Sequence, residues 1–288
     1  MLQSSWPSSS RAVDQLLISQ ALAAARALDV DRLDAQLLLS HLLQRPREWL
    51  LAHDDHVLSE GDLASFQALL LRRSRGEPLA YLVGQRAFCG LALHVTPEVL
   101  VPRPETEGLV LWALQHLSKA PAASVVDLGT GSGAIALALK HAAPAARVSA
   151  SDVSAAALEV ARGNARQHGL EIEFACGDWW EPWAGRRFAL AVSNPPYVAG
   201  GDPHLAALTH EPLAALTPGG DGLGALRKVI AAAPAHLLPG AWLWLEHGHN
   251  QADTVRGLLS AAGFAAPQTC ADLAGLPRCS GAVWPSAT

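Results

Sequence analysis

The sequence predicts a doubly wound parallel α/β sheet preceded by a small helical domain, and three observations predict it. Residues 13–71 carry Leu and Ala at i, i+3 and i+4 spacings with charges between them, the stripe of an amphipathic helix. From residue 124 onward, short apolar runs alternate with helical stretches, as parallel strands joined by crossover helices require. The loop after the first of those runs is rich in glycine and leads into a helix, the usual ligand position of such a sheet.

Taken in order, residues 1–10 are Ser-rich and polar, the composition of a loose tail. The segments VDQLLISQALAAARAL, DRLDAQLLLSHLLQR and EGDLASFQALLLRR read as helices, with Asp31 and Ser59 at N-cap positions and Pro46 and the Gly61 region at turns. Residues 1–75 hold eight Arg against nine acids, a near-neutral module of the kind used for recognition, as a lid or as a packing cap. Gly76-Glu77-Pro78 breaks the helical pattern. The stretch AYLVGQRAFCGLALHVT then alternates around Phe88, Leu91, Leu93 and Val95, with Gly84 and Gly90 as punctuation, and predicts a hairpin linker over 76–100. The sheet domain occupies 101–288. Its opening helix falls at 108–118, its strands at 124–128, 146–151, 172–175, 189–193 and 241–246, and its crossover helices at 133–141, 154–168 and 223–233.

Composition bounds the function. Of 288 residues 50% are hydrophobic and 16% charged, which excludes a disordered chain. The net charge of -5 argues against a broad electrostatic grip on nucleic acid. Cys89, Cys176, Cys270 and Cys279 form no C-x-x-C pair, so neither a disulfide framework nor a zinc knuckle is signalled. His247-x-His249 lacks further ligands at useful spacing, and no metal is expected. The start MLQSSWPSSSR has no apolar signal core, and no apolar run approaches the roughly 18 residues of a membrane span. A cytoplasmic, monomeric protein without a membrane or direct nucleic-acid partner is expected.

The segment VVDLGTGSGAIALAL ends a β-branched strand at Asp127 and turns through Gly129, Thr130, Gly131, Ser132 and Gly133 into a helix. Glycines let the backbone approach a ligand that a Cβ would block, and the helix start offers unpaired N–H groups to an anion. The third glycine comes one place too early for the dinucleotide fingerprint. G-x-G-x-G with an acid two residues ahead suits a ligand without pyrophosphate. Asp127 would face an ammonium and a sulfonium, and the helix N-terminus a carboxylate, which are the groups of S-adenosyl-L-methionine. Asp152, at the end of the next strand, suits two ribose hydroxyls. Asp178 and Trp179, after the third strand, suit the amine and the flat face of adenine.

Asn194, Pro195, Pro196 and Tyr197 close the fourth strand. Two prolines fix φ and leave carbonyls without competing N–H groups. The Asn194 side-chain oxygen and the Pro195 carbonyl would then form a pair of acceptors for a planar –NH2 group, with Tyr197 walling its plane. Such a nitrogen delocalises its lone pair, so orientation must help its attack, by up to ~7–11 kcal/mol in well-aligned cases. Accepting both protons also favours the positive charge that develops on it.

These motifs, with VPRPETE at 101–107, resemble the HemK-type protein-glutamine methyltransferases, specifically those acting on peptide chain release factors. The likeness extends over LDAQLLLSHLLQRPREWLLAH, GEPLAYLVGQRAF, EPLAAL at 211–216, LEHGHNQ at 245–251 and DLAGLPR at 272–278. NPPY alone is shared with amino-directed DNA methyltransferases; RPETE and the helical module are more specific. The resemblance implies a Rossmann-like class I sheet of seven strands with the last antiparallel. It implies methylation of the Gln in a release factor's Gly-Gly-Gln loop, and a helical domain that helps grip that factor. It also implies that Gly129 to Gly133, Asp152, Trp179 and Asn194 hold the donor, and that Asn194 to Tyr197 hold the substrate. Arg103 and residues 105–107 would wall the donor pocket. A ribosomal-protein glutamine methyltransferase, a DNA methyltransferase and a non-enzymatic donor-binding module are the alternatives. CSGAVWPSAT at the C-terminus belongs to no motif.

Overall fold

A computed structural model describes residues 16–286; the Ser-rich segment 1–10 and the expected helix start at Val13 lie outside them. The described chain divides into two units, the first ending at Gly84.

The first unit is helical: α1 (Ile18–Arg26), α2 (Arg32–Leu43), α3 (Arg47–Ala52), α4 (Glu60–Ser74) and α5 (Leu79–Val83). Asp31 and Ser59 cap α2 and α4, accepting from the Leu33 and Asp62 amides. Ile18, Leu38, Leu39, Leu50, Phe66 and Leu70 form its core, each fully or nearly fully buried. In the arginine cluster, Arg73 pairs with Asp34 at 2.7 Å and Arg72 with Glu77.

The second unit opens with a hairpin, β1 (Gln85–Phe88) and β2 (Leu91–His94), turning at Cys89 and Gly90 with φ of 46° and 78°. Positive φ at both turn residues matches the twist of the strands they join. There follow α6 (Thr106–Leu117), β3 (Ser124–Leu128), α7 (Ala134–Ala142), β4 (Arg147–Asp152), α8 (Ala155–His168), β5 (Glu173–Cys176), β6 (Phe188–Ser193), α9 (Leu213–Leu216), α10 (Gly224–Ala232), β7 (Leu237–Glu246), α11 (Ala252–Ala261), β8 (Ala265–Ala271) and β9 (Pro277–Val283). The seven-stranded sheet runs β5-β4-β3-β6-β7-β9-β8, and β9 alone runs against the direction of the other six. The class I architecture with an antiparallel last strand is therefore present.

Successive residues of β3 serve opposite faces, as a pleated strand requires. Val125 packs with Leu109 and Val110 of α6 and Leu137 of α7, while Val126 packs with Leu226 and Val229 of α10 and Val255 of α11. Strand order reverses between β3 and β6, and their C-terminal ends leave the crevice where ligands bind in such sheets. The first five residues of the C-terminal run that fitted no motif, 279–283, belong to β9. Its Gly281 lies opposite Trp244 of β7, where a Cβ would come within 2.3 Å of the indole. Trp242 and Trp244 stack on each other at 5.5 Å on a sheet face, with Trp112 and His116 against them.

Candidate functional site

A cavity of about 270 Å³ opens at the reversal point. Gly129, Thr130, Gly131 and Ser132 line it from the end of β3, Asp152 from the end of β4, Asp178 and Trp179 from beyond β5, and Asn194 and Pro196 from beyond β6. Four successive parallel strands thus deliver nine of the expected residues to one wall.

The glycine loop is held by its neighbours. Gly129 and Thr130 amides donate to the Ser151 carbonyl at 2.8 and 2.9 Å, and the Gly131 amide donates to Asp152 Oδ2 at 2.9 Å. Asp152 Oδ1 accepts from the Ser154 amide. Burial pushes the Asp152 carboxyl upward, against those backbone donors. Gly129, Gly131 and Gly133 all adopt positive φ, 70°, 54° and 84°. A Cβ on Gly129 would meet the Trp179 ring at 3.1 Å, whereas one on Gly131 meets no protein atom within 4 Å. Trp179, itself at a φ of 48°, therefore lies against the loop. Gly133, the N-cap of α7, has no side chain to cap the helix, and Asp127 takes one first-turn amide, that of Ala136, so the N–H groups at the helix start are offered to a ligand.

Four expected residues are placed away from the cavity wall. Asp127 is fully buried beneath the loop, where Oδ2 accepts from Thr130 Oγ1 at 2.6 Å and from the Ala136 amide at 3.2 Å. With its printed donors coming from the loop and α7 and its side chain outside the cavity lining, the carboxyl braces the loop and is not presented to the cavity as expected. Its burial pushes it up to about 7, and Oδ1 has no hydrogen-bond partner. Gly133 serves packing: a Cβ there would meet Leu137 at 2.3 Å and Ala161 at 3.2 Å. Pro195 and Tyr197 flank the lining residues, and the Tyr197 hydroxyl donates to Glu246 Oε1 at 3.2 Å. Of the VPRPETE segment, Pro102, Arg103 and Thr106 reach the cavity; Glu107 instead accepts from the Cys89 amide at the hairpin turn. His247 is buried and bonded to Ser280 and the Gly248 carbonyl.

The sequence reading missed residues that shape the site through distant contacts. Buried Asn164 of α8 accepts from the His94 amide and donates to the His94 and Ser132 carbonyls, joining the hairpin to the glycine loop. Glu211, also buried, pairs with Arg103 and accepts from the Val101 amide at 3.1 Å, fixing the 101–103 wall. Asn194 Nδ2 donates to Thr106 Oγ1 at 3.2 Å. Glu246 carries a signal that could have found it, a buried acid that closes the apolar run AWLWL.

Solved structures place this architecture. A methyltransferase from Pyrococcus furiosus superposes with a TM-score of 0.52 at 19% identity, over 77% of this chain and 98% of its own. A human methyltransferase 10 domain containing protein gives 0.51 at 15% identity, over 69% and 90%. At such identities the likeness speaks for the α/β fold alone. Sequence comparison narrows it. The methyltransferase small domain matches residues 110–229 and the PrmC N-terminal domain residues 17–84. The release factor glutamine methyltransferases of Xylella fastidiosa (strain Temecula1) and Bordetella pertussis are 52% and 48% identical, over 88% and 87% of this chain and 93% and 94% of theirs. The chain belongs to the release factor glutamine methyltransferase family, whose donor is S-adenosyl-L-methionine. The cavity fits that donor: an open glycine backbone, the first residues of α7, a carboxylate and an indole line one space.

Proposed function

We propose that the enzyme transfers a methyl group from S-adenosyl-L-methionine to the side-chain amide nitrogen of the Gln in the Gly-Gly-Gln motif of class 1 peptide chain release factors. The observation that carries this reading is Asn194. It lines the donor cavity, and its Nδ2 is engaged by Thr106 Oγ1. Oδ1 is thereby left to accept a hydrogen bond from an incoming –NH2 group. With the Pro195 carbonyl beside it, Asn194 orients the poor nucleophile, and the accepted hydrogen bonds favour the positive charge that grows on nitrogen as the methyl transfers. Pro196 and Tyr197 keep the tetrapeptide rigid.

Donor residues are assigned by chemistry and place. Asp152 is the acceptor for ribose hydroxyls, since each of its oxygens uses one lone pair on a backbone amide and retains another. Asp178 and Trp179 take the adenine, the indole packed against the loop. Gly129 to Ser132 and the α7 start hold the methionine end. The N-terminal helical domain grips the release factor, and the stretch from about 76 to 100, which holds α5 of that domain and the β1–β2 hairpin of the catalytic one, serves as the connection.

The test is incubation of purified enzyme with labelled donor and a class 1 release factor, followed by peptide mass spectrometry. The reading expects one methyl on the motif Gln, and label on a ribosomal protein or DNA with that Gln unmodified would defeat it. Replacement of Asn194 by Ala should cut turnover about a hundredfold or more while donor binding stays largely intact. Weakened donor binding with unchanged turnover would remove Asn194 from its role.

A further inference from the structure

The tetrapeptide 194–197 has few groups by which it can be held. Pro195 and Pro196 carry no backbone N–H, so neither donates to a neighbour. The Asn194 oxygen and the Pro195 carbonyl are needed for the substrate –NH2 group. Anchoring therefore falls to Tyr197, which is held at two points. Its hydroxyl donates to Glu246 Oε1 at 3.2 Å, and its carbonyl accepts from Gln251 Nε2 at 3.0 Å. Backbone bonds fix the chain beyond it: the Val198 amide donates to the Leu216 carbonyl and the Gly200 amide to the Gly220 carbonyl, both at 3.0 Å.

Gln251 stands where α11 begins, yet its side chain caps no amide of that helix. It spans two other groups. Oε1 accepts from the Gly248 amide at 2.8 Å while Nε2 reaches the Tyr197 carbonyl. A carbonyl only accepts and an amide N–H only donates, so a single orientation of the Gln251 amide satisfies both partners. Gly248 is itself fixed. Its carbonyl accepts from the Gln251 amide at 2.8 Å and from His247 Nδ1 at 2.9 Å, and His247 Nε2 meets Ser280 Oγ of β9 at 2.7 Å. The run LEHGHNQ thus forms a clamp based on the sheet and tipped by the bond to Tyr197. Gly222 closes on the same carbonyl: at a φ of 80°, a Cβ there would come within 2.4 Å of the Tyr197 oxygen. Neither Gln251 nor Gly222 lines the donor cavity.

We propose that Gln251 is a positioning residue for methyl transfer: it fixes the Tyr197 carbonyl and, through the stiff Pro195-Pro196 pair, the two acceptors that orient the substrate amide. The proposal rests on the reading of Asn194 and Pro195 as those acceptors. The route from Gln251 to them is short. Each proline ring holds φ at about −65°, so a shift at Tyr197 is carried back along the chain and not absorbed by it. Loss of the Gln251 bond leaves the Tyr197 carbonyl without that donor and frees the segment to move. A misplacement of about 1 Å at reacting groups costs on the order of a hundredfold in rate. The donor is held by other residues, so its affinity does not depend on this clamp.

The test is steady-state methylation of the release factor by wild type, Gln251→Glu and Gln251→Met, with donor affinity by calorimetry and urea midpoints on the same samples. The Glu variant keeps the side-chain length and an acceptor for the Gly248 amide, and a carboxylate at a helix start is favourable, so the fold is retained. As an anion it cannot donate to the Tyr197 carbonyl. The Met variant loses both bonds without adding charge. Each should lower kcat about ten- to hundredfold with donor Kd within about twofold, and Gln251→Glu should keep a urea midpoint close to wild type. If Gln251→Met does not fold, Gln251→Glu decides. Wild-type kcat in Gln251→Glu would mean that the side chain serves only the Gly248 turn, and would overturn the positioning role. Wild-type kcat in a folded Gln251→Met enzyme, or a loss confined to donor affinity, would overturn it too. All three outcomes leave the methylation reading intact as long as wild type methylates the Gln. A wild-type enzyme that leaves the Gln unmodified overturns both.

Discussion

Replacing Gly131 by Ala separates what the glycine loop does for the fold from what it does for the donor. Gly131 has a φ of 54°, where a non-glycine residue costs about 1–2 kcal/mol. No protein atom lies within 4 Å of the added Cβ, so no packing cost joins that strain, and the amide keeps its bond to Asp152 Oδ2. For a domain of this size, about 1–2 kcal/mol lowers Tm by roughly 2–8 °C. The Cβ stands on a residue that lines the cavity, where the backbone is expected to approach the donor most closely. Donor affinity should therefore fall at least about tenfold, a loss of ~1.4 kcal/mol or more. Calorimetric titration with S-adenosyl-L-methionine, paired with a thermal melt by circular dichroism, gives both quantities on one sample. Full donor affinity in a folded Gly131→Ala enzyme would refute the claim that the donor lies on this stretch of backbone. A collapse of Tm by far more than the strain accounts for would refute the open-space argument.

Gly133→Ala should behave in the opposite sense, as a folding defect. Its Cβ would drive into Leu137 and Ala161 at a φ of 84°, so the melt should show a much larger loss than Gly131→Ala. Gly281→Ala forces a Cβ to within 2.3 Å of the buried Trp244 ring and should destabilise the sheet by about 1–3 kcal/mol or more, read as a lower urea midpoint with donor affinity unchanged once folded. Asp152→Ala should weaken donor binding and loosen the Gly131 turn, seen by calorimetry as a higher Kd; an unchanged Kd would remove it from the site. Asp127 and Glu246 are both raised to about 7 by burial, so the folded state holds their protons more tightly than the unfolded chain does. Their contribution to stability is complete below about pH 4 and is lost as pH rises through 7, on the order of 2 kcal/mol per group between pH 5 and 8. Urea melts across that range should show Asp127→Asn with a flatter dependence than wild type, and equal slopes would contradict the burial argument.

Strands β3, β4, β5 and β6 were legible within about a residue at either end, because each is a short apolar run. The end of β7 at Glu246 was legible too, though the strand begins at Leu237, four residues earlier than the apolar run suggests. Strands β8 and β9 were not legible. PQTC and PRCSG hold little apolar alternation, and what makes them strands is pairing at the sheet edge, with Gly281 chosen by the ring it faces across β7. Helices α3 and α5, of six and five residues, are too short for a helical period to register. The cavity-lining glycines, Asp152, Asp178, Trp179 and Asn194 were legible because each stands within a few residues of a strand end, where this fold puts its ligand. The direction of the Asp127 carboxyl was not, since it depends on which donors the loop and α7 bring back to it. Asn164 and Glu211 act on residues 70 and 110 positions away, a distance no local pattern encodes.

The measurement that tests the account most directly is methyl occupancy on the release factor itself, with wild type and Asn194→Ala compared under saturating donor. The account predicts a single methyl on the side-chain nitrogen of the Gly-Gly-Gln glutamine with wild type, and its loss by about a hundredfold in rate with the variant at near-normal donor affinity. An unmethylated glutamine with the intact enzyme, or full-speed methylation by the Asn194→Ala enzyme, would contradict it.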